Sequence, residues 1–109
     1  MLECKSQLKD WTLAEGPVYL TLLFLFARPK THFGTGRNAG KLKESAPVYH
    51  TKRPDLDNLV KFAEDCLTGI AWKDDCQVAS TLSQKRYAGL RSKAPDREPQ
   101  TVITIALME

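Results

Sequence analysis

Two pairs of aspartates near the middle of the chain are the residues whose type and spacing best suit chemistry. Asp55 and Asp57 are separated by one residue, and Asp74 and Asp75 are adjacent. Four carboxylates brought together would repel one another and hold their protons more tightly, unless a divalent cation favoured the ionised forms. Oxygen ligands alone suit Mg²⁺, with Mn²⁺ as a substitute, and do not suit Zn²⁺. Such a set could support metal-assisted hydrolysis of a phosphodiester bond.

The spacing around the first pair adds a cation to this set. In an extended segment Asp55 and Asp57 would project to the same side, while Leu56 would turn inward. Lys61 follows Asp57 by four residues, so a helix beginning here would place both on one face. From that face the ammonium group could reach the carboxylates or a substrate phosphate.

Each of these residues also has an ordinary structural explanation. Asp57 could be a helix N-cap, and Asp55 could be a turn residue. Asp74 and Asp75 could form a turn before a strand, and Lys61 could be a solvated helix charge. The pattern therefore leaves the catalytic and the structural explanations open.

Basic residues are concentrated immediately before the aspartates. The 109-residue chain has a net charge of +3, but residues 28–53 alone carry +6 and residues 54–76 carry −4. Cations that hold a polyanion beside carboxylates that hold metal ions are what a phosphodiester enzyme needs. Two solvated faces of an ordinary domain would give the same pattern. The basic residues of this stretch are Arg28, Lys30, Arg37, Lys41, Lys43, Lys52 and Arg53.

The elements that would position these residues alternate between strand and helix patterns. A β-branched and aromatic run predicts a strand, and Leu59, Val60, Ala63 and Leu67 recur at helical spacing. Asp57 or Asn58 would cap that helix, and Thr68-Gly69 would end it. The order predicts an α+β domain in which one main helix packs on a small mixed sheet. The predicted elements are a strand at Val18–Ala27, a long loop at 30–51, a helix at Asn58–Leu67, a strand at Cys76–Tyr87, an exposed loop at 88–99 and a strand at Thr101–Leu107.

Length and composition exclude several classes of protein. A chain of 109 residues with 42% hydrophobic residues suits one compact domain. The longest apolar run, Val18–Ala27, is about half of the ~20 residues that a membrane-spanning helix needs. We expect no membrane association, and no secretory signal is recognisable. Cys4, Cys66 and Cys76 lack CxxC pairing, which fits semi-buried free thiols in a reducing cytoplasm.

Beyond these patterns, the stretch around the aspartates resembles the RusA family of Holliday-junction resolvases. The resemblance rests on Pro54–Lys61 (PDLDNLVK), on Asp65 with Leu67–Gly69, and on Trp72–Val78 (WKDDCQV), with Lys85–Tyr87 and the segment Arg28–Lys30 followed by His32 also matching. A DLDN-x-x-K motif followed by DD-x-Q-V is much more specific than a bare D-x-D. The similarity covers residues 17–107 of a single domain, and residues 1–16 form an atypical lead-in.

The resemblance implies an Mg²⁺-dependent endonuclease that cleaves four-way DNA junctions, in recombination and repair, as a homodimer. The metal-binding acids of the family fall on Asp55, Asp57 and Asp75, with Asp74 beside them, and its catalytic lysine falls on Lys61. The basic residues of 28–53 would then bind DNA backbone phosphates without reading bases. Lys85 and Arg86 would extend that surface, unless they are simply solvated at a strand end.

Two rival functions remain open at this point. The chain could be a non-catalytic nucleic-acid-binding module with a degenerate or truncated RusA fold. It could also be a nuclease that acts on flaps or simple duplex. Mere binding does not require carboxylates to face an anion, so the complete acidic set favours the enzyme.

Overall fold

The computed structural model describes residues 13–89 and 99–107. Most of the predicted lead-in, most of the predicted loop at 88–99 and the predicted environment of Cys4 lie outside the described residues. The chain divides into two compact units, and each strand of its sheet contributes residues to both. The first unit comprises Met1–Leu22, Arg53–Ser83 and Ile103–Glu109, and the second comprises Leu23–Lys52 and Gln84–Val102.

The described residues contain three strands and one α-helix. Strand β1 (Val18–Phe26) lies at the centre of a sheet of order β2-β1-β3, in which β2 is Val78–Tyr87 and β3 is Gln100–Leu107. The predicted α+β arrangement, with a small mixed sheet and one main helix, is therefore confirmed. The elements are β1 (Val18–Phe26), α1 (Leu56–Leu67), β2 (Val78–Tyr87) and β3 (Gln100–Leu107).

The core of the first unit draws on β1, α1 and the segment that follows the helix. Leu20 and Leu22 of β1, Leu67 of α1 and Trp72 are each no more than 1% exposed. Burial of one such side chain stabilises the fold by roughly 1.5–3 kcal/mol. The indole of Trp72 is also satisfied, because its Nε1 donates a hydrogen bond to Thr68 Oγ1 at 3.1 Å. Because one face of α1 packs in this core, its remaining faces lie outside it.

Helix α1 begins two residues earlier than its predicted start. Asp55 occupies the N-cap position, without a side-chain capping bond, and Asp57 lies in the first helical turn. The prediction that Asp57 or Asn58 caps the helix is therefore wrong, as is the prediction that Asp55 and Asp57 share an extended segment. The predicted end is confirmed: the Thr68 N–H donates to Glu64 O at 2.9 Å, and Gly69 adopts a φ of +87°.

The acidic turn, Asp74–Gln77, replaces the predicted beginning of the second strand. Asp75–Gln77 form one turn of 3₁₀ helix, and β2 begins only at Val78. The predicted strand start at Cys76 is therefore wrong, because Asp74 caps the turn and keeps the backbone out of the extended conformation. Cys76 is exposed, which corrects its prediction as a semi-buried apolar side chain, whereas Cys66 is half-buried as expected.

Within the second unit, the predicted loop at 30–51 is folded on itself. It contains short 3₁₀ turns at Lys30–His32 and Gly36–Asn38, and the Lys43 N–H donates to His32 O at 3.0 Å. Its far end pairs with β2, since the His50 N–H donates to Lys85 O at 3.0 Å. No helix in residues 13–89 or 99–107 is long and apolar enough to cross a bilayer.

Candidate active site

Local hydrogen bonds fix the shape of the acidic turn. The Cys76 N–H donates to Asp74 Oδ1 at 2.8 Å, and the Asp74 N–H donates to Gln77 Oε1 at 3.0 Å. Asp74 and Gln77 also form a capping box, in which each side chain accepts a hydrogen bond from the backbone N–H of the other residue. The bond from the Cys76 amide, together with one from its thiol, lowers the pKa of Asp74. Asp74 therefore stays ionised and faces its own backbone.

The thiol of Cys76 is kept protonated by the same neighbours. Its hydrogen bond to Asp74, and the negative charges of Asp74 and Asp75, raise the pKa of Cys76. One ligand atom of each of these three exposed residues lies within 4.8 Å of the others. The hard donors that this turn offers to a cation are the carboxylate oxygens of Asp74 and Asp75.

A cleft in the first unit joins the acidic turn to one face of α1. Its volume is about 720 Å³. Asp57, Lys61 and Glu64 are spaced by four and three residues, so they line one stripe of the helix. The residues that line the cleft are Leu56, Asp57, Val60, Lys61, Glu64, Asp65, Asp75, Thr81 and Ser83.

The structure brings together three of the five acidic and lysine residues that the sequence predicts. Asp57, Lys61 and Asp75 line the cleft, and Asp74 adjoins Asp75 without lining it. Asp55 is exposed at the N-cap and does not line the cleft either. Leu56 lines the cleft half-buried instead of turning fully inward, because it already belongs to the helix.

Glu64 is a cleft residue to which the sequence reasoning assigned no role. Its partial burial, and then the charges of Asp75 and Asp65, raise the pKa of Glu64. Burial is thus the larger cause of the raised pKa, and repulsion by the neighbouring carboxylates adds to it. Glu64 follows Asp57 by seven residues, so its place on the same helix face was detectable from spacing alone.

The sequence patterns also predicted no role for two hydroxyl residues of β2 and for one amide residue of the acidic turn. Thr81 and Ser83 line the cleft, and their hydroxyl oxygens lie 3.1 Å apart in a hydrogen bond. Gln77 belongs to the motif that carries the family resemblance, but no role was predicted for it. Hydroxyl and amide side chains are common in strands and turns, so no local signal distinguishes these three.

In the second unit, Arg28 is tied to the chain itself. Its Nε donates to Ala88 O at 3.0 Å, and its Nη1 donates to Pro47 O at 2.9 Å. Nη1 also lies 3.1 Å from His32 Nδ1, and the guanidinium lies 5.2 Å from the centre of the Tyr87 ring. Arg28 therefore fixes the path of the loop, in addition to carrying charge.

The other predicted phosphate-binding residues differ in exposure. Lys85 and Arg86 are half-buried on β2, and Lys85 Nζ donates to Lys52 O at 2.6 Å. The remaining six side chains extend into solvent, where they are accessible to a polyanion. They are Lys30, Arg37, Lys41, Lys43, Lys52 and Arg53.

Two histidines pack among these cations. The His50 ring stacks on Phe26 with centroids 3.9 Å apart, and the His32 ring meets the edge of Tyr87 at 4.6 Å. Burial lowers the pKa of both histidines, and the neighbouring positive charges, chiefly Arg28 for His32 and Lys85 for His50, lower it further. Burial, with the surrounding positive charges, therefore favours the neutral form of both histidines.

Comparisons with known proteins agree with the motifs. The family model described as Endodeoxyribonuclease RusA matches residues 1–106. The chain is also 34% identical over 86 residues to the uncharacterized protein YqaN of Bacillus subtilis (strain 168), an alignment that covers 76% of this chain and 58% of YqaN. It therefore spans less than two thirds of the length of that relative. No solved structure matches the chain. The near-complete match to the family model, with the DLDN-x-x-K and DD-x-Q-V motifs inside it, means that the chain belongs to the RusA family of endodeoxyribonucleases.

Proposed function

We propose that the chain is an Mg²⁺-dependent, structure-selective endodeoxyribonuclease that resolves four-way DNA junctions as a homodimer. The observation that carries this proposal is the cleft that Asp57, Lys61 and Asp75 share. Family membership supports the class of reaction. Recombination and repair in the cytoplasm are the setting in which such junctions arise, and free thiols suit that compartment.

The donor set of the cleft fits a hard divalent cation. Asp57 and Asp75 offer exposed carboxylate oxygens, which are hard ligands. Mg²⁺ takes one or two carboxylates, several waters and phosphate oxygens, so a sparse site is sufficient. Mn²⁺ satisfies the same requirements. We assign Asp57 and Asp75 as principal ligands, with Asp55 and Asp74 as additional ones.

Each side chain of the site has a distinct part in phosphodiester hydrolysis. When bound, the metal lowers the pKa of a coordinated water and stabilises the negative charge that develops on the phosphate. Lys61 supplies a positive charge to the scissile phosphate from the helix face that also carries Asp57. Asp75 lines the same cleft from the acidic turn. Asp74, bonded to the Cys76 amide, preserves the shape of the turn.

The exposed cations of residues 30–53 would hold the DNA. Lysine and arginine contacts to phosphates fix the position of a duplex without reading its sequence. This suits an enzyme that selects its substrate by branching. A four-way junction is close to two-fold symmetric, so a C2 dimer can present two equivalent sites to opposed strands.

Incision of synthetic four-way junctions by Asp57→Asn tests the proposal. The amide keeps the shape of the side chain but removes its charge, so Mg²⁺-dependent cleavage should fall by roughly 100-fold or more, the scale of losing one electrostatic group at a transition state. Binding to the junction should persist. Glu44→Gln is the matched control, because Glu44 is an exposed carboxylate of the basic loop and its loss should leave cleavage unchanged.

The same assay separates the rival functions. Undiminished cleavage by Asp57→Asn would remove Asp57 from the site. A wild-type chain that binds junctions but never cleaves them in Mg²⁺ or Mn²⁺ would identify the non-catalytic module. Equal cleavage of flaps or plain duplex would instead identify a less selective nuclease.

A further inference from the structure

The side-chain amide of Gln77 joins the acidic turn to the chain segment that precedes β1. Its Oε1 accepts from the Lys73 N–H at 2.9 Å and from the Asp74 N–H at 3.0 Å. Its Nε2 donates to Ala14 O at 2.9 Å and to Gly16 O at 3.1 Å. An amide offers two acceptor positions and two donors, so every bond that this side chain can make is used.

The far side of this link is anchored in the core of the first unit. Ala14 is only 4% exposed, and its N–H donates to Ala71 O at 2.9 Å. Ala71 and its neighbour Trp72 are fully buried. The segment to which Gln77 reaches is therefore a fixed point, not a mobile tail.

The near side of the link is exposed. Asp74, Asp75 and Cys76 all face solvent, so apolar packing holds none of them in place. The ion pair between Lys73 and Glu15 also spans the two segments, at 3.4 Å, but its side chains are 61% and 80% exposed. Exposed pairs of this kind contribute about 0–1 kcal/mol. The four bonds of the Gln77 amide are the stronger constraint.

We propose that Gln77 is a positioning residue, which holds the carboxylate of Asp75 at the place in the cleft where it can share a cation with Asp57. The inference rests on the proposed function. Gln77 touches neither substrate nor metal in this role. It acts as the outer-shell partners of metal ligands do, by fixing the orientation of the group that binds.

Mn²⁺ binding by metal-free protein, followed by electron paramagnetic resonance or calorimetry, tests this role. Gln77→Ala removes all four bonds, and we expect its Mn²⁺ affinity to fall by about 10- to 100-fold, the usual cost of losing an outer-shell partner. Lys73→Ala is the matched control. It deletes the ion pair across the same two segments but leaves the backbone N–H of residue 73, so its Mn²⁺ affinity should equal that of the wild type.

Gln77→Glu separates positioning from simple electrostatics. The glutamate keeps the acceptor oxygen but replaces the donating NH₂ group with a second oxygen, which then faces the carbonyls of Ala14 and Gly16. It also adds a negative charge beside the site, which by itself would strengthen cation binding. If Gln77 acts by positioning Asp75, the Mn²⁺ affinity of Gln77→Glu should fall despite the added charge. An increase in its Mn²⁺ affinity would overturn the inference. Thermal unfolding of each variant verifies that the fold is retained.

Junction cleavage at limiting and at saturating Mn²⁺ completes the experiment. The cleavage rate of Gln77→Ala should approach that of the wild type as the Mn²⁺ concentration is raised, because the metal ligands are misplaced but present. The cleavage rate of Asp57→Asn should stay low at every Mn²⁺ concentration. Wild-type Mn²⁺ affinity in Gln77→Ala, with affinity lost in Asp57→Asn, would overturn the role of Gln77 and leave the proposed function intact. A wild-type chain that binds no Mn²⁺ would overturn the proposed function itself.

Discussion

At the scale of single residues, Glu64 shows how charge is balanced in the cleft. It lies half-buried on the helix face that carries Asp57 and Lys61, and it faces the charges of Asp75 and Asp65. Without a cation, the acidic groups there outnumber Lys61, the lysine among the lining residues. The cleft is therefore strained by like charge, and a bound divalent cation would relieve that strain.

Replacement of Glu64 by glutamine should stabilise the metal-free protein near pH 7. The pKa of Glu64 is raised above its ordinary 4.5, so the folded state resists ionisation more than the unfolded state does. The resulting loss of stability is absent below pH 4.5. It grows as the pH rises from 4.5 through the pKa of Glu64 in the folded state, and it is complete above that pKa. Glu64→Gln should thus unfold at a higher temperature than wild type at pH 7, with the difference vanishing below pH 4.5.

Thermal unfolding in the presence of a chelator measures this effect. Glu44→Gln serves as the control for loss of an exposed carboxylate, and its melting temperature should follow that of the wild type at every pH. A lower melting temperature for Glu64→Gln at pH 7 would show that Glu64 stabilises the cleft instead of straining it.

At the scale of elements, the basic loop is held to the strands by aromatic and histidine contacts. His50 stacks on Phe26 of β1, and the Tyr87 N–H of β2 donates to Val48 O at 3.0 Å. Arg28 ties the other end of the loop to Pro47 O. These bonds within the second unit explain why a long stretch rich in glycine and charge adopts a defined path.

Stability of the loop should decline in mild acid because its histidines are held neutral. The pKa of His50 is below its ordinary 6.5, owing first to burial and then to Lys85 and Lys52, and the pKa of His32 is lowered by burial, Arg28, Lys52 and Lys43. Full stability is present above pH 6.5 and is lost as the pH falls through 6.5 toward the folded pKa. His50→Phe keeps the ring stack but cannot titrate, so its stability should decline less between pH 7.5 and 5.5.

Urea unfolding across that pH range checks the prediction. The two proteins should be similarly stable at pH 8, where the histidine is neutral in both states, and should diverge below pH 6.5. Parallel curves for the two proteins would show that His50 carries no part of the pH dependence.

At the scale of the whole molecule, the proposed reaction requires two active sites. Resolution of a four-way junction needs incision of two opposed strands, and each chain carries one Asp57, one Lys61 and one Asp75. Symmetric assembly of two chains would supply the second site without any further sequence. This requirement makes the homodimer a consequence of the proposed function that can be measured by itself.

Mixed dimers of wild type and Asp57→Asn should cut one strand only. On a plasmid with an extruded cruciform, wild-type dimers should give linear product through paired incisions, whereas mixed dimers should give nicked circles. The nicked fraction should peak when the two chains are mixed and allowed to exchange. A mixture that still yields only linear product, at a lower rate, would show that the chains act independently.

Much of the fold was predictable because its signals are local. The β1 and α1 patterns depend on neighbours two, three and four residues apart, and those residues do form the predicted elements. The predicted end of α1 at Thr68-Gly69 depends on one glycine. The predicted start of α1 was wrong because the sequence offers three good N-cap residues, Asp55, Asp57 and Asn58. Only the packing of the helix decides which of them is used.

The sequence by itself determined which residues could do chemistry: aspartates beside a lysine at helical spacing, inside motifs of the RusA family. The tertiary structure alone decided which of them meet. It set Asp57 and Asp75 in one cleft and left Asp55 at the helix cap, and it drew Glu64, Thr81 and Ser83 into the same cleft. It also joined Gln77 to Ala14 and Gly16, which lie 63 and 61 residues away along the chain. Periodicity reports only on nearby residues, whereas contacts at such separations arise from burial of a common core, which no local pattern encodes.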